Sequence, residues 1–349
     1  MKNCWGNELT YTVKPIDRNA WLTAAKSFND YTFTHFWEYA KKAADRVGAA
    51  SEHVAIYSED GTLAGLCDVR IKRLPLGLGG IAYVSGGPMV DQGDGTVEKH
   101  LPNVLGALRR RYAIEQGLVL RISQRHKTVR RRDVEEALYR QCEFKAHGCT
   151  NATILIDLTT ELEQIRKRFH QKWRNVLNKS ERQHIEVVAG GAMGLFDDFS
   201  LLFSDLVASK GFDVNLDDHF FADVQRCSPS QEQFHIAIAY HDGQPVGGHL
   251  SSICGDTSVY LLGAVNEAGR KLGAAYLLQW HAICESKHRG CSWYDLGGIN
   301  REENPHVFLF KQRMGGEETE VAHVFQCAEG LRGAVSLLLE KIYRALRPS

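Results

Sequence analysis

The sequence predicts a mixed α/β protein in which one structural unit occurs twice. Three observations lead to this prediction: the length of 349 residues, two similar β-hairpin patterns far apart in the chain, and a helix–glycine–strand pattern after each hairpin. A chain of this length usually folds as two domains. A hydrophobic share of 44% is ordinary for globular domains, so each half can bury a core of its own.

The two hairpin patterns share residue types and spacing. In the first, an apolar run at residues 54–57 precedes an Asp-Gly pair at 60–61. In the second, a run at residues 237–240 precedes the same pair at 242–243. Aspartate followed by glycine supplies the positive φ angles of a tight turn, so each pattern predicts two antiparallel strands.

Each hairpin is followed by a helix that ends at a glycine and then by a strand. Residues 109–117 and 118–122 show this order in the first half, and residues 280–290 and 291–296 repeat it in the second. A glycine after the last turn fits a left-handed helix cap. The repeat indicates a duplicated α/β unit, although Asp-Gly hairpins are common enough for the similarity to arise by chance.

The joint between the halves is expected near residues 150–154, with a long helix after it. Thr160 and Glu163 have the spacing of a capping box at its start. The apolar residues that follow recur at helical spacing: Leu162, Ile165, Phe169, Trp173, Val176 and Leu177. This spacing predicts that Trp173 lies in a core. A final amphipathic helix, residues 331–346, could pack against either half.

Charge and cysteine content limit the possible classes. The 42 basic and 42 acidic residues cancel, so binding to nucleic acid or membranes would depend on local patches. The N-terminal segment lacks the apolar stretch of a signal peptide, and no apolar run is long enough to cross a bilayer. Nine scattered cysteines without CxxC spacing predict reduced thiols and no metal site. We therefore expect a cytoplasmic protein.

The segment at residues 293–316 has the features of a reaction site. A strand-like run ends in Gly297 and Gly298, which would let the backbone approach a ligand closely. The apolar residues 307–310 lead directly to Lys311. A partly desolvated ammonium there could stabilise the oxyanion of a tetrahedral intermediate. Alternatively, Lys311 could extend from an apolar element into water.

Basic residues form two clusters. The first lies on the predicted long helix: Arg166, Lys167, Arg168, Lys172, Arg174, Lys179 and Arg182. The second comprises Arg109, Arg110, Arg111, Arg121, Arg125, Lys127, Arg130, Arg131 and Arg132. Each cluster could bind phosphates or RNA, or could be a solvated face. HExxH, GxSxG, Walker and GxGxxG motifs are absent, and His249 on an apolar strand fits a core histidine.

Two sets of residues resemble known families. Arg270, Gly273 and Ala275 follow an apolar strand and are similar to the acyl-CoA loop of Gcn5-type N-acetyltransferases, although an ordinary strand-to-helix turn can have the same residues. Residues 294–299 and 308–311 resemble the signature of the FemABX-type aminoacyltransferases, which build peptidoglycan interpeptide bridges.

Two further segments extend the resemblance to the Fem family over most of the chain. Residues 83–89 are similar to its Y-[IV]-x-x-GP element, and residues 173–188 to a basic helix that enters its second domain. The resemblance implies two tandem Gcn5-type acetyltransferase-like domains without a coiled-coil insertion. The implied boundaries are 1–152 with a C-terminal helix at 325–349 for the first domain, and 153–324 for the second.

The resemblance also implies roles for individual residues. Lys311 matches a lysine thought to stabilise the developing oxyanion. Lys41 matches a lysine that contacts the phosphates of the acceptor, and Tyr260 matches a tyrosine that lines the site. In the family the donor is aminoacyl-tRNA and the acceptor is a stem-peptide amine, so no cofactor is expected.

Three positions on the acceptor side depart from the family pattern. Ser123 stands where the family often has an acid, Asn215 where it has an arginine for the acceptor phosphate, and Leu262 where it has a second tyrosine. Asparagine cannot form the bidentate phosphate clamp of an arginine. The departures therefore leave acyl transfer plausible and put a peptidoglycan-nucleotide acceptor in doubt.

Three hypotheses follow. The first is aminoacyl transfer from aminoacyl-tRNA to an amine, on a peptidoglycan precursor or another acceptor, with Lys311 at the oxyanion. The second is acyl transfer from acyl-CoA bound at Arg270, Gly273 and Ala275. The third is a degenerate domain pair that binds a cell-wall precursor without catalysis. The fold does not separate an aminoacyl-tRNA donor from an acyl-CoA donor.

Overall fold

The computed structural model describes residues 11–93, 95–125, 129–149, 152–210, 218–320 and 322–346. The strands are β1 (Thr12–Pro15), β2 (Ala50–Tyr57), β3 (Leu63–Arg73), β4 (Gly80–Gly86), β5 (Val119–Arg125), β6 (Lys145–Cys149), β7 (Ala152–Asp157), β8 (Glu186–Gly190), β9 (His235–His241), β10 (Gln244–Cys254), β11 (Thr257–Val265), β12 (Trp293–Asp295), β13 (Glu317–Glu320) and β14 (Ala322–Cys327). The helices are α1 (Arg18–Ala24), α2 (Trp37–Asp45), α3 (Thr96–Leu108), α4 (Val129–Gln141), α5 (Leu162–Arg168), α6 (Gln171–Ser180), α7 (Met193–Lys210), α8 (Asp218–Cys227), α9 (Glu267–Leu272), α10 (Ala274–His288), α11 (Pro305–Gln312) and α12 (Gly330–Leu346).

The chain divides into two compact units. Unit 1 comprises Met1–Thr150 and Glu320–Ser349, and unit 2 comprises Asn151–Thr319. Each unit is built on one sheet. The strand order is β1-β2-β3-β4-β5-β14-β6 in unit 1 and β8-β9-β10-β11-β12-β7-β13 in unit 2.

The two sheets follow the same plan. Antiparallel pairs connect the first four strands of unit 1, and β4 and β5 are parallel. In unit 2, β8 to β11 are antiparallel, and β11 and β12 are parallel. A parallel pair needs a crossover connection. Helix α3 lies in that connection in unit 1, and α9 and α10 lie in it in unit 2. The predicted mixed α/β fold with a repeated unit is confirmed.

The next strand of each sheet comes from a different part of the chain. In unit 2, β7 pairs antiparallel with β12 and precedes the rest of that sheet in the sequence. In unit 1, β14 pairs antiparallel with β5 and follows all of unit 2 in the sequence. The C-terminal segment therefore completes the first sheet.

Both Asp-Gly pairs form turns, but the turns differ. Asp242 and Gly243 have φ angles of 52° and 74°, as a two-residue hairpin loop requires. The loop between β2 and β3 is longer: the Ser58 amide donates to the Thr62 carbonyl at 2.9 Å, and Asp60 accepts from the Thr62 amide at 3.0 Å.

The long helix predicted after residue 160 is interrupted. Its two parts are α5 and α6, because Phe169 and His170 have extended ψ angles of 142°. The predicted capping box is wrong. Glu161 begins α5 without a side-chain cap, Glu163 pairs with Lys167 at 2.7 Å, and the buried Thr160 hydroxyl has no hydrogen-bond partner among the described residues.

The apolar spacing across this interruption nevertheless predicts the core of unit 2. Ile165, Phe169, Trp173 and Leu177 are all buried, and the rings of Phe169 and Trp173 meet edge to face at 4.6 Å. The prediction that Trp173 lies in the core is confirmed. Apolar burial decides the positions of these side chains even where the backbone leaves helical geometry.

The last helix, α12, packs on the sheet of unit 1. The Gly80 amide donates to Ser336 Oγ at 2.9 Å, and Arg121 donates to the two carboxylate oxygens of Glu340 at 3.0 and 2.8 Å. Among the described residues, no helix has both the length and the apolar character needed to span a membrane.

Candidate functional site

Lys311 lies in the last turn of α11. Pro305 begins this helix, at a position where its missing amide hydrogen removes no helical bond. The Lys311 side chain is buried, and the residue is only 5% exposed. Its ammonium donates to the Gly298 carbonyl at 2.9 Å and to the Gly297 carbonyl at 3.4 Å. The alternative in which Lys311 extends into water is therefore wrong.

The turn that follows β12 supplies these two carbonyls. Gly297 has a φ of +70°, and a Cβ there would lie 2.6 Å from the Tyr260 carbonyl oxygen, so only glycine fits without displacement. Asp295 Oδ1 accepts from the Gly297 amide at 2.8 Å, and Thr153 Oγ1 lies 2.9 Å from the Gly297 oxygen. These contacts hold the turn that faces Lys311.

Burial changes the acidity of Lys311. Desolvation lowers its pKa to about 8, against the attraction of Asp295, which raises it. The side chain is therefore still mainly an ammonium at pH 7. An ammonium has three N–H donors. Among the described residues, Gly297 and Gly298 take up two of them, and the third can reach a ligand.

A cavity of about 360 Å³ lies beside Lys311 in unit 2. Its polar lining residues are His249, Tyr260, Arg270, Gln279, His306 and Lys311. Apolar side chains and glycines provide the rest of the wall, among them Phe310 and Gly263. The charged lining residues are Arg270 and Lys311, so the described part of the wall favours an electron-rich or anionic group.

A hydrogen-bonded network positions Tyr260 in this wall. The Tyr294 hydroxyl donates to Gln279 Oε1 at 2.7 Å and lies 2.9 Å from His249 Nε2. Because the one hydroxyl hydrogen of Tyr294 goes to Gln279, His249 Nε2 carries a hydrogen and donates to Tyr294. The His249 ring stacks on Tyr260 with centroids 4.8 Å apart.

Both rings of this stack are neutral at physiological pH. Burial lowers the pKa of His249 to about 3, with smaller contributions from the nearby His235 and His281. Burial raises the pKa of Tyr260 to about 12, partly offset by a hydrogen bond with Gln279. His249 is buried, as predicted, but it also lines the cavity. The apolar strand around His249 in the sequence did not indicate that His249 would line a cavity.

The segment with the acyl-CoA loop pattern forms a junction between two helices. Arg270 lies within α9, and Gly273 links α9 to α10 in a left-handed conformation with φ +76°. The Arg270 amide donates to the Asn266 carbonyl at 3.0 Å, and the Gly273 amide to the Arg270 carbonyl at 3.3 Å. Arg270 and Ala275 line the cavity with Lys311 and Tyr260, whereas Gly273 packs against Val176 and Ser180 of α6.

Among the described residues, Lys41, Ser123 and Leu262 are not part of the cavity lining. Lys41 is exposed on α2, and Ser123 is buried on β5 between Ser85 and Val324; both belong to unit 1. Leu262 lies on β11, opposite Leu250. Asn215 lies outside the described residues.

Several arginines of the two basic clusters are already in ion pairs. Within unit 1, Arg109 pairs with Glu329 at 2.7 Å, and Arg121 with Glu340 at 2.8 Å. Arg111 pairs with Glu52 in the same unit. In unit 2, Arg166 pairs with Glu181 at 2.5 Å. These guanidinium groups bind protein carboxylates in the structure, which favours a structural role for them over phosphate binding.

Comparison with known proteins agrees with this architecture. Residues 163–305, within unit 2, match a family model described as an acetyltransferase (GNAT) domain. The crystal structure of FemX superposes with a TM-score of 0.78 at 13% identity, covering 95% of this chain and 99% of that one. A conserved protein of unknown function from Bacteroides thetaiotaomicron gives a TM-score of 0.59 at 12% identity, covering 91% and 99%. No curated protein matches by sequence.

The FemX similarity extends over both units, and the acetyltransferase match lies in the unit that contains Lys311. The prediction of tandem acetyltransferase-like domains is confirmed. The predicted resemblance to FemABX-type proteins is confirmed at the level of the fold, because the chain has the fold of FemX.

Proposed function

We propose that the chain transfers an aminoacyl group from aminoacyl-tRNA to an amine. The observation that carries the proposal is the buried Lys311 ammonium, which lines a cavity and has one N–H donor left after two backbone carbonyls are satisfied. A buried cation with a lowered pKa in a cavity is a candidate for a catalytic group. The family resemblance gives this group the task of binding an oxyanion.

The reaction needs one group that stabilises the negative charge of the tetrahedral intermediate. The lone pair of the neutral amine attacks the ester carbonyl, a C–N bond forms, and the carbonyl oxygen becomes an oxyanion that accepts a hydrogen bond from Lys311. The C–O bond to the ribose then breaks, and the proton lost by the amine passes to the ribose oxygen. His249 is too weak a base to accept this proton at neutral pH, because its pKa is about 3.

The choice of donor rests on the helical junction at Gly273. An acyl-CoA loop binds a pyrophosphate through free backbone amides. Here the amides of Arg270 and Gly273 donate to protein carbonyls, so these two amides are not free for a pyrophosphate, and the family resemblance favours aminoacyl-tRNA. Arg270 and Ala275 nevertheless line the cavity, so acyl-CoA is the second candidate donor. The acceptor is an amine, and a stem-peptide amine of a peptidoglycan precursor is the candidate that the family resemblance suggests.

The proposal can be tested with pools of donors and acceptors. The purified chain is incubated with a mixed charged-tRNA pool or an acyl-CoA pool, together with amines that include peptidoglycan precursors, and the products are identified by mass. We expect an aminoacylated amine from the tRNA pool alone. Lys311→Met should reduce its formation about 100- to 1000-fold. Lys271→Met is the matched control, because Lys271 is exposed and pairs with Glu267 at 2.7 Å.

The results separate the three hypotheses. If a product forms only from the acyl-CoA pool, the donor is acyl-CoA and not aminoacyl-tRNA. Equal product from Lys311→Met and the unaltered chain would remove the role of Lys311. Binding of a precursor without product from either pool would favour the non-catalytic binding module.

A further inference from the structure

The terminal helix α12 has its polar side toward the protein. Ser336 accepts a hydrogen bond from the Gly80 amide, and Glu340 binds Arg121 of β5. Gly333 is also buried on this side. An amphipathic helix on a domain surface normally turns its apolar side to the core. A serine and a glutamate of α12 therefore form hydrogen bonds with the sheet.

The opposite side of α12 is apolar and exposed. Leu331 and Leu346 are 81% and 76% exposed, and Leu338 and Ile342 between them are also exposed. The spacing of these residues, in steps of seven and four positions, places them on one side of a helix. A continuous apolar surface of this kind marks a site of interaction with another molecule.

A second apolar projection belongs to the same region of unit 1. Leu76, in the turn Pro75–Gly77 between β3 and β4, is 95% exposed and has a left-handed φ of 56°. This conformation costs a leucine about 1 kcal/mol. The turn lies beside α12, because a Cβ on Gly79 would be 2.4 Å from Ser336 Oγ. A strained turn thus exposes an apolar side chain in the same unit as α12.

The charges of α12 indicate what this surface binds. The residues with exposed charge on the helix are Arg332, Lys341 and Arg344. The one acid of α12 is Glu340, which accepts from Arg121 and Arg344. A symmetric pairing of two α12 helices would bring like charges together. Apolar residues flanked by basic ones instead match the acyl region and the headgroups of an anionic bilayer.

We propose that the outer face of α12 docks unit 1 on the surface of an anionic lipid bilayer. The helix would lie in the interface, with its leucines among the acyl chains and its basic side chains at the headgroups. The chain as a whole has no net charge, but this does not prevent binding to an anionic bilayer. The basic side chains of α12 attract the headgroups over a short distance. The inference does not depend on aminoacyl transfer.

Vesicle co-sedimentation of the full chain tests the proposal. Vesicles of phosphatidylcholine with phosphatidylglycerol should bind the chain at least tenfold more tightly than phosphatidylcholine vesicles, and added salt should weaken the binding. Replacing two exposed apolar residues in the variant Leu338→Ser/Ile342→Ser should reduce binding by more than tenfold. Lys341→Glu should reduce it by about tenfold.

The matched control is Leu201→Ser, because Leu201 is at least as exposed as Leu338 and Ile342 but lies on α7 of unit 2. It should bind vesicles as the unaltered chain does, and circular dichroism should show all variants folded. Absence of binding, equal binding to both vesicle types, or unchanged binding of Leu338→Ser/Ile342→Ser would overturn the proposal. So would a dimer, detected by light scattering, that this double variant dissociates.

Discussion

The Lys311 ammonium lies 5.4 Å from the centroid of the Tyr260 ring. The same ammonium is held by the Gly298 carbonyl at 2.9 Å, and the Tyr260 ring is held by the stacked His249 ring. A cation over a desolvated aromatic face is stabilised by about 2 kcal/mol. The two side chains therefore keep a buried charge in one place, at the wall of a cavity.

Removing the Lys311 charge should slow transfer rather than weaken binding of the substrates. Loss of one oxyanion donor reduces kcat about 100- to 1000-fold. We expect a decrease of this size in Lys311→Met, measured by single-turnover kinetics with aminoacyl-tRNA, and no decrease in the exposed control Lys271→Met. A raised KM with unchanged kcat would show that Lys311 only helps to bind substrate.

The buried ammonium should also make the fold less stable at neutral pH. Its pKa is about 8 in the folded chain and 10.5 in the reference state, so the unfolded chain binds more protons between these values. The unfolding free energy therefore rises with pH in this window, by about 3 kcal/mol relative to a chain without the group. Below pH 8 the full penalty is present.

Urea unfolding of the unaltered chain and of Lys311→Met should reveal this penalty. At pH 7 the methionine variant should be at least as stable as the unaltered chain. Its relative stability should then fall as the pH rises from 8 to 10.5. A difference that stays constant across this range would mean that Lys311 has an ordinary pKa in the folded protein.

Gly263 should be essential for the position of Tyr260. A Cβ at Gly263 would lie 2.2 Å from the Tyr260 hydroxyl oxygen, so Gly263→Ala must displace the ring. We expect a loss of about 1–3 kcal/mol in stability, as for other overpacked sites. Transfer should slow by about tenfold or more, because displacement of a positioning group by about 1 Å can reduce rates up to a hundredfold.

Two further variants distinguish this steric effect from a general glycine effect. A Cβ added at Gly194 on α7 would meet none of the described residues outside its own helix within 4 Å, so Gly194→Ala should be neutral or stabilising by up to about 1 kcal/mol. Adding Tyr260→Phe to Gly263→Ala removes the clashing oxygen and should restore part of the stability. If the double variant loses as much unfolding free energy as the two single variants together, the clash is not the cause of the loss.

The Glu340–Arg121 ion pair should make α12 sensitive to acid. The hydrogen bonds from Arg121 lower the pKa of Glu340 from 4.5 to about 2. The stabilisation is complete above pH 4.5 and is lost as the pH falls towards 2. Glu340→Gln should therefore lower the unfolding free energy at pH 7 by about 1–2 kcal/mol, because solvent screens part of the interaction. The difference should disappear in acid.

Thermal unfolding at several pH values measures this effect. Glu163→Gln is the matched control, since Glu163 is an exposed helical residue that pairs with Lys167. We expect it to unfold like the unaltered chain at every pH. If Glu340→Gln is still less stable than the unaltered chain at pH 2, Glu340 stabilises the fold through packing of α12 and not through its negative charge.

Local patterns in the sequence predicted much of the fold. Asp-Gly pairs predicted both hairpins, because few other residues adopt the positive φ angles of their turns. Helical spacing predicted the buried set that contains Trp173. The same spacing did not predict the break in the helix at Phe169 and His170. The reason is that burial constrains the positions of side chains more strongly than the conformation of the backbone between them.

The sequence by itself determined that the chain is a duplicated α/β protein and that a lysine directly follows an apolar run in its second half. Only the tertiary structure decided that Lys311 is buried, that the carbonyls of Gly297 and Gly298 bind it, and that Tyr260 and Arg270 line the same cavity. These residues are far apart along the chain. Turn and helix signals act over a few positions, whereas desolvation and cavity formation depend on how distant elements pack.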